Sequence, residues 1–176
     1  YARTDIQYGT SLCYPLSAMS CHISASPNHQ TGRITPFASR ADIAHLGATG
    51  YELNPELLSA IEKTEIAAQI AAYKDMQDLV LTGDLYRLND GREDNLFAVM
   101  LVSKDKQKAH ITAMRPIHVA NGGAIRLYPI GLDADATYTV AELGLTRKGG
   151  TLMQTGILID FPHGDFSTRT LHISKA

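Results

Sequence analysis

The residues of this sequence whose types and spacing could do chemistry are concentrated in residues 17–33, SAMSCHISASPNHQTGR. This stretch combines imidazole, thiol, amide, guanidinium and hydroxyl groups and follows directly on an apolar run. Polar side chains cost free energy when they are buried without partners, so this density indicates the rim of a cleft. The candidate binding residues are His22, Ser24, Asn28, His29 and Arg33.

Each candidate also has a structural interpretation. His22 either supports a pocket or is a core histidine that bonds a neighbouring loop. Asn28, His29, Gln30 and Arg33 either contact a ligand or hold their own loop together. We favour the second interpretation for the loop residues, because buried polar side chains mostly bond backbone groups.

Metal and thiol chemistry are disfavoured by spacing. No third ligand follows His22 and His29 at a usual metal-site interval, so no metal site and no cofactor are predicted. Cys13 and Cys21 are predicted to be buried structural thiols, in keeping with a reduced compartment. Asp133 and Asp135 are predicted to be solvated turn residues rather than paired catalytic acids.

The elements that must position the candidates fall into two regimes. Residues 1–83 read as α/β: residues 16–23 predict a buried strand, 36–46 a short helix, and a long helix begins at Asn54 or Ser59. The apolar face of that helix is predicted at Ile66, Ile70, Tyr73 and Val80, with Gly83 as its end.

Residues 84–176 read as all β. Strands are predicted over residues 96–103, 109–114, 124–130, 136–140, 151–159 and 167–174. The turns between them are predicted at 89–91, 121–123, 133–135, 149–150 and 162–164. Aromatic residues of this half, namely Tyr128, Tyr138 and Phe166, could stack on a sugar, but core packing is favoured.

This order of elements predicts the C-terminal end of a (β/α)8 barrel over residues 1–83, followed by an antiparallel β-sandwich over 84–176. In such barrels the loops after the strands build the active site, which accounts for the polar stretch. The lack of an initiator Met at Tyr1 indicates the tail of a longer protein.

The bulk composition excludes several classes of protein. The chain has 176 residues, 44% hydrophobic and 19% charged, with a formal net charge of −2. This balance supports a packed core and gives no electrostatic footprint for nucleic acid or an anionic membrane. No apolar stretch approaches the ~20 residues of a membrane helix, and a cytoplasmic location is expected.

Ordered short motifs along the whole chain resemble the C-terminal portion of glycoside hydrolase family 36, the melibiase-type α-galactosidases. They are IQYGT (6–10), YPLSAM (14–19), CHIS (21–24), PNHQTGR (27–33), GYEL (50–53), YRL (86–88), LDADATYTV (132–140), GGTLMQTGI (149–157) and GDFSTRTLHI (164–173). The resemblance implies a retaining hydrolase of terminal α-galactosides such as melibiose, raffinose and stachyose, without a cofactor and often tetrameric.

The resemblance also implies that the two catalytic carboxylates lie upstream of this sequence. Neither family motif for them matches a position here, so no catalytic residue is predicted and this chain alone is expected to be inactive. In this alignment Asp5 lies in the helix that follows the expected position of the acid/base motif, so it is not assigned as the acid/base residue. Ser20 stands where many relatives are expected to carry Gly.

Three other functions remain open from the sequence. One is a free-standing carbohydrate-binding or interaction module in which residues 84–176 carry the function. Another is galactosyl transfer of the raffinose- or stachyose-synthase type. The third is specificity for α-N-acetylgalactosaminides, set by the pocket around the sugar 2-substituent.

Overall fold

The computed structural model describes residues 2–90 and 94–176, with the side chain of Asp90 left aside. The chain divides into two compact units, Tyr1–Leu81 and Thr82–Ala176. The first unit is mixed α/β and the second is dominated by antiparallel strands. None of the described helices is long and apolar enough to cross a membrane.

The first unit is built around two parallel strands. Its elements are α1 (Ala2–Ser11), β1 (Ser20–Ser24), α2 (Phe37–Ala44), β2 (Ala48–Glu52) and α3 (Ala60–Thr82). Strand β1 pairs with β2 in parallel, and the register runs from Ser20 opposite Ala48 to Ser24 opposite Glu52. The predicted strand over 16–23 is therefore only half correct, because residues Leu16–Ala18 form a 3₁₀ turn behind Pro15.

Local capping explains where the long helix begins. Asn54 accepts a hydrogen bond from the Glu56 amide, but only a 3₁₀ turn follows it, at Pro55–Leu57. At Ser59 the hydroxyl accepts from the Glu62 amide (3.2 Å) while a Glu62 carboxylate oxygen accepts from the Ser59 amide (3.0 Å). This reciprocal capping box satisfies two otherwise unpaired donors, so α3 begins at the second of the two predicted points.

The predicted apolar face of α3 is partly correct. Val80 is buried, and Ile66 and Tyr73 are half-buried, but Ile70 is 40% exposed. The buried residues Met76 and Leu79 were not part of the prediction. Within this unit the apolar stripe of α3 is thus only partly covered.

The second unit is organised by a six-stranded antiparallel sheet of order β3-β4-β5-β10-β7-β8. Its strands are β3 (Asp84–Asp90), β4 (Phe97–Val102), β5 (Lys108–Arg115), β7 (Thr137–Val140), β8 (Leu145–Lys148) and β10 (Ser167–Lys175). Strands β6 (Ile125–Leu127) and β9 (Ile157–Ile159) form a separate antiparallel ribbon. Leu127, Leu152, Ile157 and Ile159 share one core cluster with buried residues of the large sheet, so a small layer faces a large one.

One predicted strand is wrong. Residues 151–159 were expected to be extended, but helix α4 (Gly149–Thr155) precedes the short β9. Gly149 and Gly150, predicted to be turn residues, are the first two residues of that helix. A Cβ atom at Gly149 would lie 2.2 Å from the Asp133 carbonyl oxygen, so this glycine is required by a close backbone approach.

Two smaller expectations have mixed outcomes. Tyr138 is fully buried, as predicted, whereas Tyr128 is half-exposed and is not a core residue. Of the turn predicted at 89–91, Asn89 and Asp90 belong to β3, and residue 91 lies outside the described residues.

Candidate functional site

Strand β1 has two chemically different faces. Cys21 and Ile23 are buried on one face, while Ser20, His22 and Ser24 alternate on the other and are more accessible. Helices cover the buried face, because Gln7 of α1 donates to the Cys21 sulfur (2.7 Å) and to the Ile43 carbonyl oxygen of α2 (3.1 Å). The buried face of β1 therefore packs against α1 and α2, whereas Ser20 and His22 of the polar face remain exposed.

His22 stands at the centre of the polar face. Its Nε2 lies 3.2 Å from the Ser20 hydroxyl, and its Nδ1 lies 3.6 Å from a carboxylate oxygen of Glu52 on β2. The strand register puts Gly50 opposite His22, so no side chain separates the imidazole from β2. The sequence interpretation of His22 as a core histidine is not what the structure shows, because the ring is about half exposed.

Ser24 is the last residue of β1, and two arginine side chains contact it. The Arg40 guanidinium of α2 donates to the Ser24 carbonyl oxygen, and Arg3 of α1 lies 3.4 Å from its hydroxyl. Arg40 also packs over the Phe37 ring at 4.7 Å, and burial lowers the pKa of its guanidinium from the usual value. Two guanidinium groups therefore lie at the carboxyl end of β1, where Glu52 of β2 stands opposite Ser24.

The loop after β1 is held by its own hydrogen bonds. The Asn28 side-chain oxygen accepts from the Gln30 amide (3.1 Å), the Thr31 amide (3.0 Å) and the Thr31 hydroxyl (3.1 Å). The Asn28 amide donates to the Arg33 carbonyl oxygen (2.9 Å), and the Gly32 amide donates back to the Asn28 carbonyl oxygen (2.8 Å). Asn28 thus acts in the way that we favoured, as the acceptor that closes its loop.

The five candidates are arranged as two groups that are contiguous in the chain. His22 and Ser24 belong to the polar face of β1, and Asn28, His29 and Arg33 belong to the loop that follows. His29 is exposed at the tip of the loop, and Arg33 is half-buried at its base. Their roles in binding stay predictions.

Sequence reasoning missed three residues of this edge, namely Arg3, Arg40 and Glu52. Glu52 lies in the GYEL stretch, and its proximity to His22 follows only from the parallel register of β1 and β2. Arg40 is one residue of an ordinary helical pattern, and no motif distinguishes it. The available signal was the rule that parallel strands bring their carboxyl ends to one edge.

The two cysteines differ in environment. Cys21 is buried, and burial raises the pKa of its thiol, so it is a structural residue as predicted. Cys13 is exposed, contrary to the prediction. Among residues 2–90 and 94–176, no group of three or more His, Cys, Asp and Glu side chains is arranged to hold a metal ion.

The second unit carries polar clusters of its own. Glu142 accepts hydrogen bonds from both the backbone amide (2.8 Å) and the imidazole of His172. His118 lies between the Arg115 guanidinium (3.0 Å) and the His163 ring nitrogen (3.4 Å). Neither cluster was anticipated from the sequence.

Comparison with known families divides the chain in two. A sequence model named Melibiase matches residues 1–83. A second, the glycosyl hydrolase family 36 C-terminal domain, matches residues 96–173.

Individual relatives match the chain over most of its length. The bifunctional alpha-galactosidase/sucrose kinase AgaSK of Mediterraneibacter gnavus is 44% identical over 88% of this chain and 17% of its own length. Alpha-galactosidase AgaA of Geobacillus stearothermophilus is 41% identical over 94% of this chain and 22% of its own. A solved structure of an AgaA variant with raffinose superposes with a TM-score of 0.96 at 38% identity, covering 99% of this chain and 24% of that one. Another AgaA variant, solved with stachyose, gives the same values. The chain therefore spans about a sixth to a quarter of the length of these relatives.

Proposed function

Since this chain belongs to glycoside hydrolase family 36, we propose that it is the C-terminal part of a retaining α-galactosidase. The intact enzyme would hydrolyse terminal α-D-galactosyl residues of oligosaccharides such as melibiose, raffinose and stachyose. The observation that carries this proposal is the match over 99% of the chain to an α-galactosidase solved with raffinose.

The geometry of β1 and β2 supports a place in a (β/α)8 barrel. The two strands are parallel, helices cover one face of β1, and the polar face carries His22 near Glu52. In such barrels the carboxyl ends of the strands and the loops after them surround the substrate. We therefore place the β1 edge and the loop after it at one side of the galactose cleft.

We propose that the two catalytic carboxylates lie outside this sequence, in another part of the intact enzyme. Retention needs one carboxylate to attack the anomeric carbon and a second, ~5–5.5 Å away, to protonate the leaving oxygen and then activate water. Neither carboxylate motif matches a position in this sequence. His22, Ser24, Asn28, His29 and Arg33 would instead contact or shape the site, and no metal or cofactor enters the proposal.

The remaining properties of the whole protein belong to the same proposal. The second unit would brace the barrel, and the enzyme would be a cytoplasmic homotetramer. A free-standing binding module is not favoured, because similarity to α-galactosidases extends through residues 1–83 as well as the second unit.

A chimera tests the proposal directly. The segment of Geobacillus stearothermophilus AgaA that this chain matches is replaced by residues 1–176. We expect the chimera to release galactose from raffinose and nitrophenol from nitrophenyl α-galactoside, and the 176-residue chain alone to release neither. A folded chimera without turnover, or turnover by the isolated chain, would contradict the proposal. The reaction is repeated with added sucrose to distinguish hydrolysis from transfer. Hydrolysis yields free galactose, whereas transfer to sucrose yields a longer sugar.

The site is tested in the same chimera. His22→Ala is expected to lower kcat/KM by about tenfold, the effect of losing one hydrogen bond of ordinary strength. The matched control is His163→Ala, which removes an exposed imidazole from the second unit. Equal activity of the two variants would remove His22 from the site and leave the assignment to α-galactosidases intact.

A further inference from the structure

Glu52 lies on the same face of the two-stranded sheet as His22. The register places Gly50 opposite His22, and side chains along a strand alternate between the two faces of a sheet. Thr49 and Tyr51, which take the other face of β2, donate their hydroxyl groups to acceptors on α2 and α3. Glu52, two residues beyond Gly50, is therefore turned to the face that carries His22.

The His22 ring has a neighbour on three sides. Its Nδ1 lies 3.6 Å from a Glu52 carboxylate oxygen, and its Nε2 lies 3.2 Å from the Ser20 hydroxyl. A Cβ atom at Gly50 would lie 3.6 Å from the His22 Cδ2, so the ring packs over the backbone of β2. The ring therefore spans the two strands, and each of its nitrogens faces a different polar group.

The chemistry of these two polar groups assigns the proton on the ring. An ionised carboxylate only accepts hydrogen bonds, so the nitrogen that faces Glu52 carries the hydrogen of the neutral imidazole. The Nε2 then holds a lone pair, and the Ser20 hydroxyl, which can donate or accept, takes the donor role. His22 thus presents an acceptor on the side of the ring away from Glu52.

An acceptor nitrogen selects a hydroxyl group that donates. The Ser20 hydroxyl, at 3.2 Å from Nε2, shows that an aliphatic hydroxyl fits at this side of the ring. Sugar hydroxyls are of the same chemical kind, and His22 lies on the strand whose carboxyl end we place at the galactose cleft. The orientation of the ring therefore decides which hydrogen-bonding role is offered to the sugar.

We propose that Glu52 is a positioning residue for sugar binding. It holds the Nδ1 proton of His22 and thereby aims the Nε2 lone pair at a hydroxyl group of the galactoside, without touching the sugar itself. The 3.6 Å separation is that of an ion pair rather than a hydrogen bond, and such contacts in free enzymes often tighten when the substrate binds. This inference rests on the proposed function.

A double-variant cycle in the AgaA chimera tests the positioning role. Glu52→Ala is expected to raise KM for nitrophenyl α-galactoside by about two- to fivefold, the range of an accessible side-chain pair. The kcat should stay unchanged, because a hydroxyl that does not react is bound equally in the ground state and the transition state. Since Glu52 acts through His22, Glu52→Ala combined with His22→Ala should lower kcat/KM no further than His22→Ala alone.

Two further variants separate orientation from charge. Glu56→Ala, in the turn after β2, removes another exposed carboxylate and should leave both constants unchanged. Glu52→Gln keeps an oxygen that can accept from Nδ1, so it should recover most of the loss seen in Glu52→Ala. The inference is overturned by independent losses in the double variant, by a loss that falls on kcat, or by a Glu52→Gln variant as impaired as Glu52→Ala.

A spectroscopic test needs no turnover. The 176-residue chain is prepared with nitrogen-labelled histidine, and the His22 signals are those missing from His22→Ala. In alkaline buffer, where imidazoles are neutral, long-range proton–nitrogen correlations distinguish a protonated from an unprotonated ring nitrogen. We expect a protonated Nδ1 in the parent and in Glu56→Ala, and a shift towards the Nε2-protonated form in Glu52→Ala. A protonated Nε2 in the parent overturns the inference.

The two proposals fail separately. A chimera that hydrolyses raffinose but shows independent losses for the two substitutions keeps the α-galactosidase and removes the positioning role. A chimera without turnover removes the α-galactosidase, and the spectrum then keeps or overturns the assignment of the ring proton.

Discussion

The two units of this chain differ in how completely each buries its own apolar residues. The second unit packs residues of six strands, a ribbon and a helix into one cluster, with Ile111 and Leu171 fully buried. The first unit has only two paired strands and leaves Leu57 83% exposed and Ile61 72% exposed. Antiparallel sheets can close a core by themselves, whereas a pair of parallel strands depends on neighbours to cover it. The difference indicates that the second unit is self-contained and that the first is not.

The largest effect is expected from a cavity in the second unit. Leu171→Ala removes a fully buried side chain and should lower the free energy of unfolding by about 2–5 kcal/mol. The matched control is Leu57→Ala in the first unit, which should change it by less than about 0.5 kcal/mol because the side chain is exposed. Urea unfolding followed by circular dichroism measures both. Similar losses for the two variants would break the comparison.

The next effect concerns acid stability of the first unit. The pKa of His45 is lowered to about 4 in the folded chain, against 6.5 as its ordinary value, so the unfolded chain binds the proton more readily. The free energy of unfolding is therefore unaffected by this group above pH 6.5, where His45 is neutral in both states. It decreases as the pH falls from 6.5 towards 4, because the unfolded chain then binds a proton that the folded chain, in which His45 is buried, does not. The loss amounts to at most roughly 3 kcal/mol.

The matched control for this titration is His45→Phe, which keeps an aromatic ring and removes the ionisable group. Unfolding is measured at 222 nm, where α1, α2 and α3 of the first unit dominate the signal. We expect the variant to lose less stability than the parent between pH 7 and pH 4.5. An unchanged pH dependence in the variant would show that His45 is not the group responsible.

A smaller effect tests how tightly the second unit is packed. Gly149→Ala brings a methyl group to 2.2 Å from the Asp133 carbonyl oxygen and 3.0 Å from the Tyr138 ring, and should cost about 1–3 kcal/mol. Gly150→Ala, one residue further along the same helix, has its nearest contact at 3.2 Å and should change the stability by less than about 1 kcal/mol. The two midpoints of thermal unfolding give the answer. If Gly150→Ala is the more harmful change, the close approach at Gly149 is not what requires glycine.

The smallest effect concerns the N-terminal cap of α3, a local interaction that stabilises the helix without contacts to other elements of the first unit. Ser59→Ala removes the capping hydroxyl of α3 and should cost about 1 kcal/mol. It should also raise the pKa of Glu62, which the Ser59 amide and hydroxyl hold below its usual value. Thr64→Ala, an exposed position one turn into the same helix, is the control. Helicity at 222 nm and a carbon-detected titration of Glu62 measure the two consequences, and equal helicity losses would contradict the role of the cap.

Local signals in the sequence predicted the elements that depend on local chemistry. The capping pair Ser59 and Glu62 marked the start of α3, and the alternation of Leu171 and Ile173 marked β10. The family resemblance, carried by ordered motifs, was confirmed over both units.

Elements that depend on distant partners were missed or misread. Strand β2 has the sequence ATGYE, with no apolar run, and is a strand because β1 lies beside it. The stretch GGTLMQT reads as a turn followed by a strand, but the approach of the Asp133 carbonyl to Gly149 fixes it as a helix start. At the site, His22 could be named from its type, whereas Glu52 and Arg40 could be placed only once the register of β1 and its helices was known.

The single side-chain oxygen of Asn28 accepts hydrogen bonds from three donors on two residues, Gln30 and Thr31. The segment from Asn28 to Arg33 therefore already holds its shape before any ligand arrives, and little chain entropy is left to lose on contact. Any group that contacts this segment therefore meets a fixed shape rather than one that adapts, so changing that shape would begin with a substitution of Asn28.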